Sequence, residues 1–233
     1  MDIGVREAAD KLGVDQSRVR QLLRSHYLAG RQVGREWLVS ADDVARLASR
    51  PSLPGRPLAP ARAWGLLDLL DGGGAPWLSP VARSQVRQLG RRLSGVDADR
   101  WRAALRARSD VHRCQAHPAA VGRLLEEPSA RRGGPGEAQR LGADLVVVAG
   151  RPEIYLPAAE WSRLARSLHL HDAVGDPDVV VRVPRDVWPF DGDDHAGVAA
   201  LAADLLDSDE PRAIRAGAAK LNELSGHALA AHR

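Results

Sequence analysis

Among the 233 residues there is one cysteine, one methionine, one phenylalanine and two tyrosines. The lone Cys114 excludes an intrachain disulfide and any cysteine-based zinc knuckle. With Phe, Tyr and Met so scarce, a hydrophobic fraction of 44% must build its core from Leu, Val, Ala and six Trp. Lysine is rare as well, at Lys11 and Lys220 only, so the cationic side chain here is arginine. Apolar runs fall short of the roughly 20 residues a membrane helix needs. The start, MDIGVREAAD, lacks the apolar centre of a signal peptide. A cytoplasmic protein is therefore expected, with no membrane partner. A Gly-x-Ser-x-Gly elbow is also missing, and the GGPGE stretch lacks the Gly-Lys-Ser/Thr ending of a phosphate loop.

What is present is unevenly spread. Residues 1–50 carry 9 basic and 7 acidic groups, residues 51–140 carry 15 and 8, and residues 141–233 carry 9 and 15. A basic front and middle followed by an acidic last third suggest a polyanion as one partner and something different as another.

Residues 5–39 carry the sharpest pattern. Val5, Ala8, Ala9 and Leu12 recur at i, i+3, i+4 and i+7, the apolar face of a helix, and Gly13 ends it. Val14 is expected to be a buried turn residue. Asp15 or Ser17 can cap a second helix, which turns Val19, Leu22 and Leu23 inward. Gln16, Ser17, Arg18, Arg20, Gln21 and Arg24 are then left outward, as on a recognition helix that reads base edges with its first turns. LAGRQVGREWLVS follows, with turns expected at Ala29-Gly30 and Gly34-Arg35, and reads as a two-stranded wing. Arg31 and Arg35 would sit near its tip and reach phosphates or a minor groove. Ser40 can cap a third helix that has Asp42 and Asp43 in its first turn.

The EAADKLGVDQSRVRQLL helix pair, GRQVGREWLVS and ADDVARL together resemble the excisionase and MerR-type winged helix-turn-helix family over roughly residues 3–48. The resemblance implies binding to double-stranded DNA. Recognition helices of this kind usually work in pairs on adjacent half-sites, so a homodimer on DNA is expected.

Prolines at 51, 54 and 57 mark a linker over residues 51–57. Beyond it, residues 58–233 read as a larger mixed α/β domain, making the whole chain α+β. PLAPARAWGLLDLLDG is helical. Ser79-Pro80 opens a second helix whose apolar set is Val81, Val86, Leu89 and Leu93. Arg83, Arg87 and Arg91 project elsewhere as candidate backbone contacts. Residues 58–95 are thus either a second helix-turn-helix-like layer or a basic helical layer facing a partner. DADRWRAALRAR and HPAAVGRLLEE read as helices, and SDVHRCQA as a strand. RRGGPGEAQRLGA reads as a charged, Gly-rich loop. DLVVVAG, PEIYLP and PDVVVRVP read as strands, the last buried on both faces. PAAEWSRLARSLHL is helical, and two helices broken at Asp209-Glu210-Pro211 close the chain.

Catalytic constellations are weak. His112, Cys114 and His117 lack clear third and fourth metal ligands. Asp191, Asp193, Asp194 and His195 precede a helix, where Asp serves as cap and dipole partner. No catalytic residue, metal or cofactor is expected, and the protein is read as a non-enzyme.

RPLAPARAWGLLDLL with WLSPVARSQVRQL, HRCQAHP, LGADLVVVAGRPEIYLPAAEWSRLA, and PDVVVRVPRDVWPF followed by AALAADLLDSDEPRA resemble the AbiEi family, the antitoxins of type IV toxin–antitoxin systems. The resemblance covers most of residues 57–220. It implies a transcriptional regulator that represses its own promoter by binding repeats there. It also implies a C-terminal domain that counteracts a nucleotidyltransferase-like toxin. The excisionase-like front departs from that family's plan. The residues alone also allow a stand-alone transcriptional regulator whose C-terminal domain dimerises or senses a ligand.

Overall fold

The computed structural model describes residues 2–24, 28–34, 36–49, 56–142, 151–173, 175–190, 192 and 194–228. The expected strand DLVVVAG lies wholly outside these residues, as do Arg35, Asp191, Asp193 and linker residues 51–55.

The fold is α+β. The N-terminal part has a strand β1 (Asp2–Gly4), helices α1 (Val5–Leu12) and α2 (Gln16–Arg24), strands β2 (Gly30–Val33) and β3 (Glu36–Ser40), and helix α3 (Ala41–Ser49). Its sheet is antiparallel in the order β1-β3-β2, with Ile3 opposite Val39 and Gly30 opposite Val39 on the other side. Strand β1 is too short to show a period in the sequence. The apolar spacing of α1 and α2 does what it predicts: Ala8, Ala9, Val19 and Leu23 are buried together with Ile3, Leu28, Val39 and Val44 in one small core.

Two expectations change. Val14 is 38% exposed, because the left-handed Gly13 (φ 63°) and the Val14 N–H bond to the Ala9 carbonyl (3.1 Å) turn its side chain away from the core. Gly30 begins strand β2 instead of forming a turn. A Cβ there would lie 2.5 Å from Leu23 Cδ2 and 2.7 Å from the Leu38 carbonyl oxygen, so glycine lets β2 approach both α2 and β3.

The larger part begins where the Leu58 N–H bonds the Ala104 carbonyl (3.0 Å). It comprises α4 (Pro60–Leu70), α5 (Pro80–Leu93), α6 (Ala98–Leu105), β4 (Ser109–Gln115), α7 (Pro118–Leu125), β5 (Arg131–Gly133), a 3-10 helix (Pro135–Leu141), β6 (Glu153–Tyr155), α8 (Ala158–Ser167), β7 (His171–Asp172), β8 (Val179–Pro184), α9 (Val198–Leu206) and α10 (Pro211–Ala228). Its sheet order is β5-β6-β8-β4-β7, with β6 and β8 parallel and the other pairs antiparallel. RRGGPGEAQRLGA is therefore not a loop: it supplies edge strand β5 and the 3-10 helix.

Two helices are apolar nearly all round and sit centrally. Seven residues of α4, from Ala63 to Leu70, are buried, and so is every residue of α9 from Ala199 to Leu206. Helix α10 packs on α9, with α4, α5 and α6 around them. Trp64 anchors this core edge-on to Tyr155 (5.6 Å between centroids) and Phe190 (5.3 Å). Ser79 caps α5 by accepting the Ala82 N–H (3.2 Å), with Pro80 at the first helical position. Val81, expected inside, is 69% exposed in that first turn. The other face of the sheet buries Ile154, Val179, Val181 and Cys114 against α7 and α8. Strand β8 is buried along its whole length, as its run of valines predicts, with Arg182 buried among them.

Candidate nucleic-acid interface and a buried charge network

Helix α2 is set by local chemistry. Gly13 closes α1 in the left-handed conformation, and Asp15 caps α2 by accepting the Arg18 N–H (2.8 Å) and the Ser17 hydroxyl (2.5 Å). Those bonds, the Ser17 one foremost, hold the Asp15 carboxyl below its ordinary pKa. With Val19 and Leu23 fixed inward, Gln16, Ser17, Arg18, Arg20 and Gln21 all lie exposed on the opposite face. Arg18 donates to Gln21 (2.7 Å) and Arg20 to Gln16 (3.3 Å), so both guanidiniums stand over the helix surface. Arg24 is the last residue of this helix; its side chain lies outside the described residues.

Arg31 differs from its expected place at the wing tip. It lies within β2, and its guanidinium reaches across β3 to Asp2 on β1, with Nε at 3.2 Å and a terminal nitrogen at 3.1 Å. It remains 60% exposed, on the sheet face beside a carboxylate. Arg35 lies outside the described residues. Asp43, buried after α3 begins, accepts the Ala29 N–H (3.0 Å) and so fixes the entry to β2.

The candidate backbone contacts on α5 are more varied. Arg83 turns back to donate to the Leu78 carbonyl (3.2 Å), in the segment just ahead of the Ser79 cap. Arg87 is half-buried and Arg91 exposed. Helix α4, the partner it would need for a second helix-turn-helix, is a core helix.

The second assembly had no sequence signal. Asp204, fully buried on α9, accepts from Arg108 (2.9 Å), the Tyr155 hydroxyl (2.5 Å) and the Gly134 N–H (2.9 Å), with Arg182 Nε at 3.4 Å. Arg108 also pairs with Asp207 (2.8 Å), and Arg182 with Asp207 (2.9 Å) and Glu153 (3.0 Å). Both arginines are at most 5% exposed on their side chains. Burial would lower their pKa values, but the surrounding carboxylates more than reverse this and raise both. Burial likewise works to raise the Asp207 carboxyl, and the two guanidiniums overcome it and hold it at about 2. Glu153 and Tyr155 are pushed up, chiefly by burial. The Arg108 carbonyl also receives the Trp64 indole N–H (2.8 Å), tying the network to the aromatic core. Two cations and their acids this deep are retained only with every partner in place.

The remaining candidates disperse. His112 stacks on Trp161 (4.4 Å) and is buried with Cys114, whose thiol burial pushes to about 12. His117 instead caps α7, its Nδ1 accepting the Ala119 N–H (3.2 Å). His195 faces Glu137 at 3.0 Å. Among the described residues no group of three or more His, Cys, Asp or Glu could hold a metal ion. No helix among them is long and apolar enough to cross a membrane.

Residues 3–51 match the family model of a helix-turn-helix domain. No curated protein matches the chain, and no solved structure matches it. The match covers the α1–α2 pair, the wing and α3, and it indicates DNA binding by this N-terminal domain, with a regulatory role.

Proposed function

We propose that the protein is a sequence-specific, DNA-binding transcriptional regulator that acts without catalysis, its C-terminal domain deciding what the bound protein does. The exposed polar face of α2 carries this reading: five adjacent side chains with donors and acceptors stand on a rigid, capped helix within a matched helix-turn-helix domain. In this reading Gln16, Ser17, Arg18, Arg20, Gln21 and Arg24 meet bases and phosphates, while Arg31 and Arg35 of the wing serve the backbone, with Arg87 and Arg91 as further phosphate contacts. Two copies bind paired half-sites as a homodimer.

The finer proposal is an autorepressing antitoxin that binds repeats in its own promoter and neutralises a nucleotidyltransferase-like toxin. Its support is the resemblance of residues 57–220 to the AbiEi antitoxins. The alternative, a stand-alone regulator with a ligand-sensing C-terminal domain, draws support from the polar cleft beside the buried charge network.

Sequencing of genomic DNA captured by the full chain, followed by gel-shift titration of the recovered site, tests the DNA reading. Affinity should fall steeply with salt, as arginine–phosphate contacts release counterions. Arg20→Ala should weaken binding about tenfold or more, a loss of one base or phosphate contact. Unchanged binding by Arg20→Ala and Arg18→Ala together would remove α2 from the interface. Co-expression with a neighbouring nucleotidyltransferase gene separates the two finer readings: restored growth supports the antitoxin, and growth arrest regardless of the protein supports the stand-alone regulator.

A further inference from the structure

The odd-numbered face of β4 carries Ser109, Val111 and Arg113, while His112 and Cys114 point into the core on the other face. Those odd residues, together with Val180 and Arg182 of β8, look onto a cleft whose opposite wall is Arg46 and Leu47 of α3. The cleft therefore lies between the DNA reader and the sheet of the larger domain. Its volume is about 100 Å³. Whole-metabolite pockets run to roughly 300–1,000 Å³, so this one has room for an anionic head group and a short stem.

Its charges are not evenly matched along its length. At one end the charges of Arg108 and Arg182 are matched by Asp204, Asp207 and Glu153. Arg46 pairs with Asp43 and lies 3.7 Å from Asp209. At the other end the Arg113 side chain has no ion-pair or hydrogen-bond partner among the described residues, and its buried Nε is unpaired. The Ser109 hydroxyl and the Arg108 Nε in the same lining are also buried and unpaired. Arg113 Nε and the Ser109 hydroxyl are thus two buried donors without a partner in one cleft, and each unmade hydrogen bond costs roughly 1–3 kcal/mol. The Arg113 guanidinium is also held down to about 10, by burial first and then by the like charges of Arg46 and Arg151, with Asp209 and Glu153 opposing weakly. Asp43, Glu153 and Asp207 also line the cleft, but they are paired with Arg46, Arg108 and Arg182, so the donors left over are those of Arg113 and Ser109.

We infer that this cleft binds a small oxyanion, the phosphate or carboxylate head of a low-molecular-weight metabolite, held by Arg113 and Ser109 against the α3 wall. At about 100 Å³ the cleft is too small for a nucleic-acid strand, so the ligand is a free small molecule. An occupant there touches both the reader and the sheet, which makes it a regulator of how the two sit together. The inference does not depend on the DNA reading, since it concerns the protein without DNA.

The test is thermal unfolding and isothermal titration of the full chain with inorganic phosphate, and separately with acetate, against sodium chloride of equal ionic strength. Wild type should melt about 2–4 °C higher in one oxyanion than in chloride. Arg113→Gln should melt at or above wild type in chloride, because it removes an unpaired buried cation, and should show no oxyanion response. Ser109→Ala should keep the fold and weaken the response about fivefold. A wild-type protein that treats both oxyanions like chloride overturns the inference. So does an Arg113→Gln variant that still responds, or one strongly destabilised in chloride, since the guanidinium would then already have its partner. An unaltered oxyanion response in Ser109→Ala likewise decides against the site.

Discussion

Replacing Asp204 with Asn removes one negative charge and one acceptor while keeping the side-chain shape. One carboxamide oxygen can still serve Arg108 or Tyr155, which lie 2.9 and 2.5 Å from the same carboxylate oxygen. The other position becomes an NH₂ facing the Gly134 N–H, which now bonds a carboxylate oxygen at 2.9 Å. Donor then meets donor, and a buried unpaired N–H costs about 1–3 kcal/mol. Arg108 and Arg182 also lose part of their counter-charge in a site they cannot leave, which for buried pairs costs about 3–5 kcal/mol in all. Asp204→Asn should therefore destabilise the larger domain by about 3–5 kcal/mol, a large fraction of the 5–15 kcal/mol typical of a whole domain. Tyr155→Phe should cost only about 1–2 kcal/mol, because Asp204 keeps its other donors. Urea unfolding followed by tryptophan fluorescence measures both: five of the six Trp lie beyond residue 57, and Trp64 is hydrogen-bonded to the network itself. At a slope near 2 kcal/mol per M, Asp204→Asn moves the midpoint down by about 2 M. An Asn variant within 1 kcal/mol of wild type, or no worse than Tyr155→Phe, would refute the claim that Asp204 is the charged keystone of the core.

Two further outcomes concern the DNA reader. Asp2→Asn should free the Arg31 guanidinium from its pair across the sheet; the log–log salt dependence of DNA binding should steepen by about 0.9 for each protomer that gains a phosphate contact. An unchanged slope means that Asp2 does not withhold Arg31. Gly30→Ala should lower the melting temperature of the reader and weaken DNA binding, because its methyl meets the Leu38 carbonyl and forces β2 outward at a cost of about 1–3 kcal/mol. A variant that melts like wild type shows that the hairpin yields without loss.

The reader was legible because its signals are local. The i, i+3, i+4, i+7 spacing of α1, the Gly13 stop and the Asp15 cap each act within a few residues, and together they decide which face of α2 is outward. Ser79-Pro80 and the valines of β8 were legible for the same reason. Val81 and Val14 were misplaced because periodicity cannot tell the first turn of a helix, or a residue just past a left-handed glycine, from the stripe it continues. The charge network was invisible for a different reason. Asp204 sits in an Ala/Leu run and Arg182 in a Val run, where each looks like an interruption. Their partners are up to 96 positions away, from Arg108 to Asp204, and no local period points to them.

The distance from Arg108 to Asp204 also bears on synthesis. The N-terminal sheet pairs Asp2 with Ser40, so the reader has all its strand partners once its first 49 residues have left the ribosome. The larger domain is in the opposite position: Arg108 has no buried counter-charge, and Arg182 only Glu153, until α9 emerges with Asp204 and Asp207 just behind it. A growing chain therefore has the strand pairings of its N-terminal sheet available well before the buried charges of the larger domain can be matched.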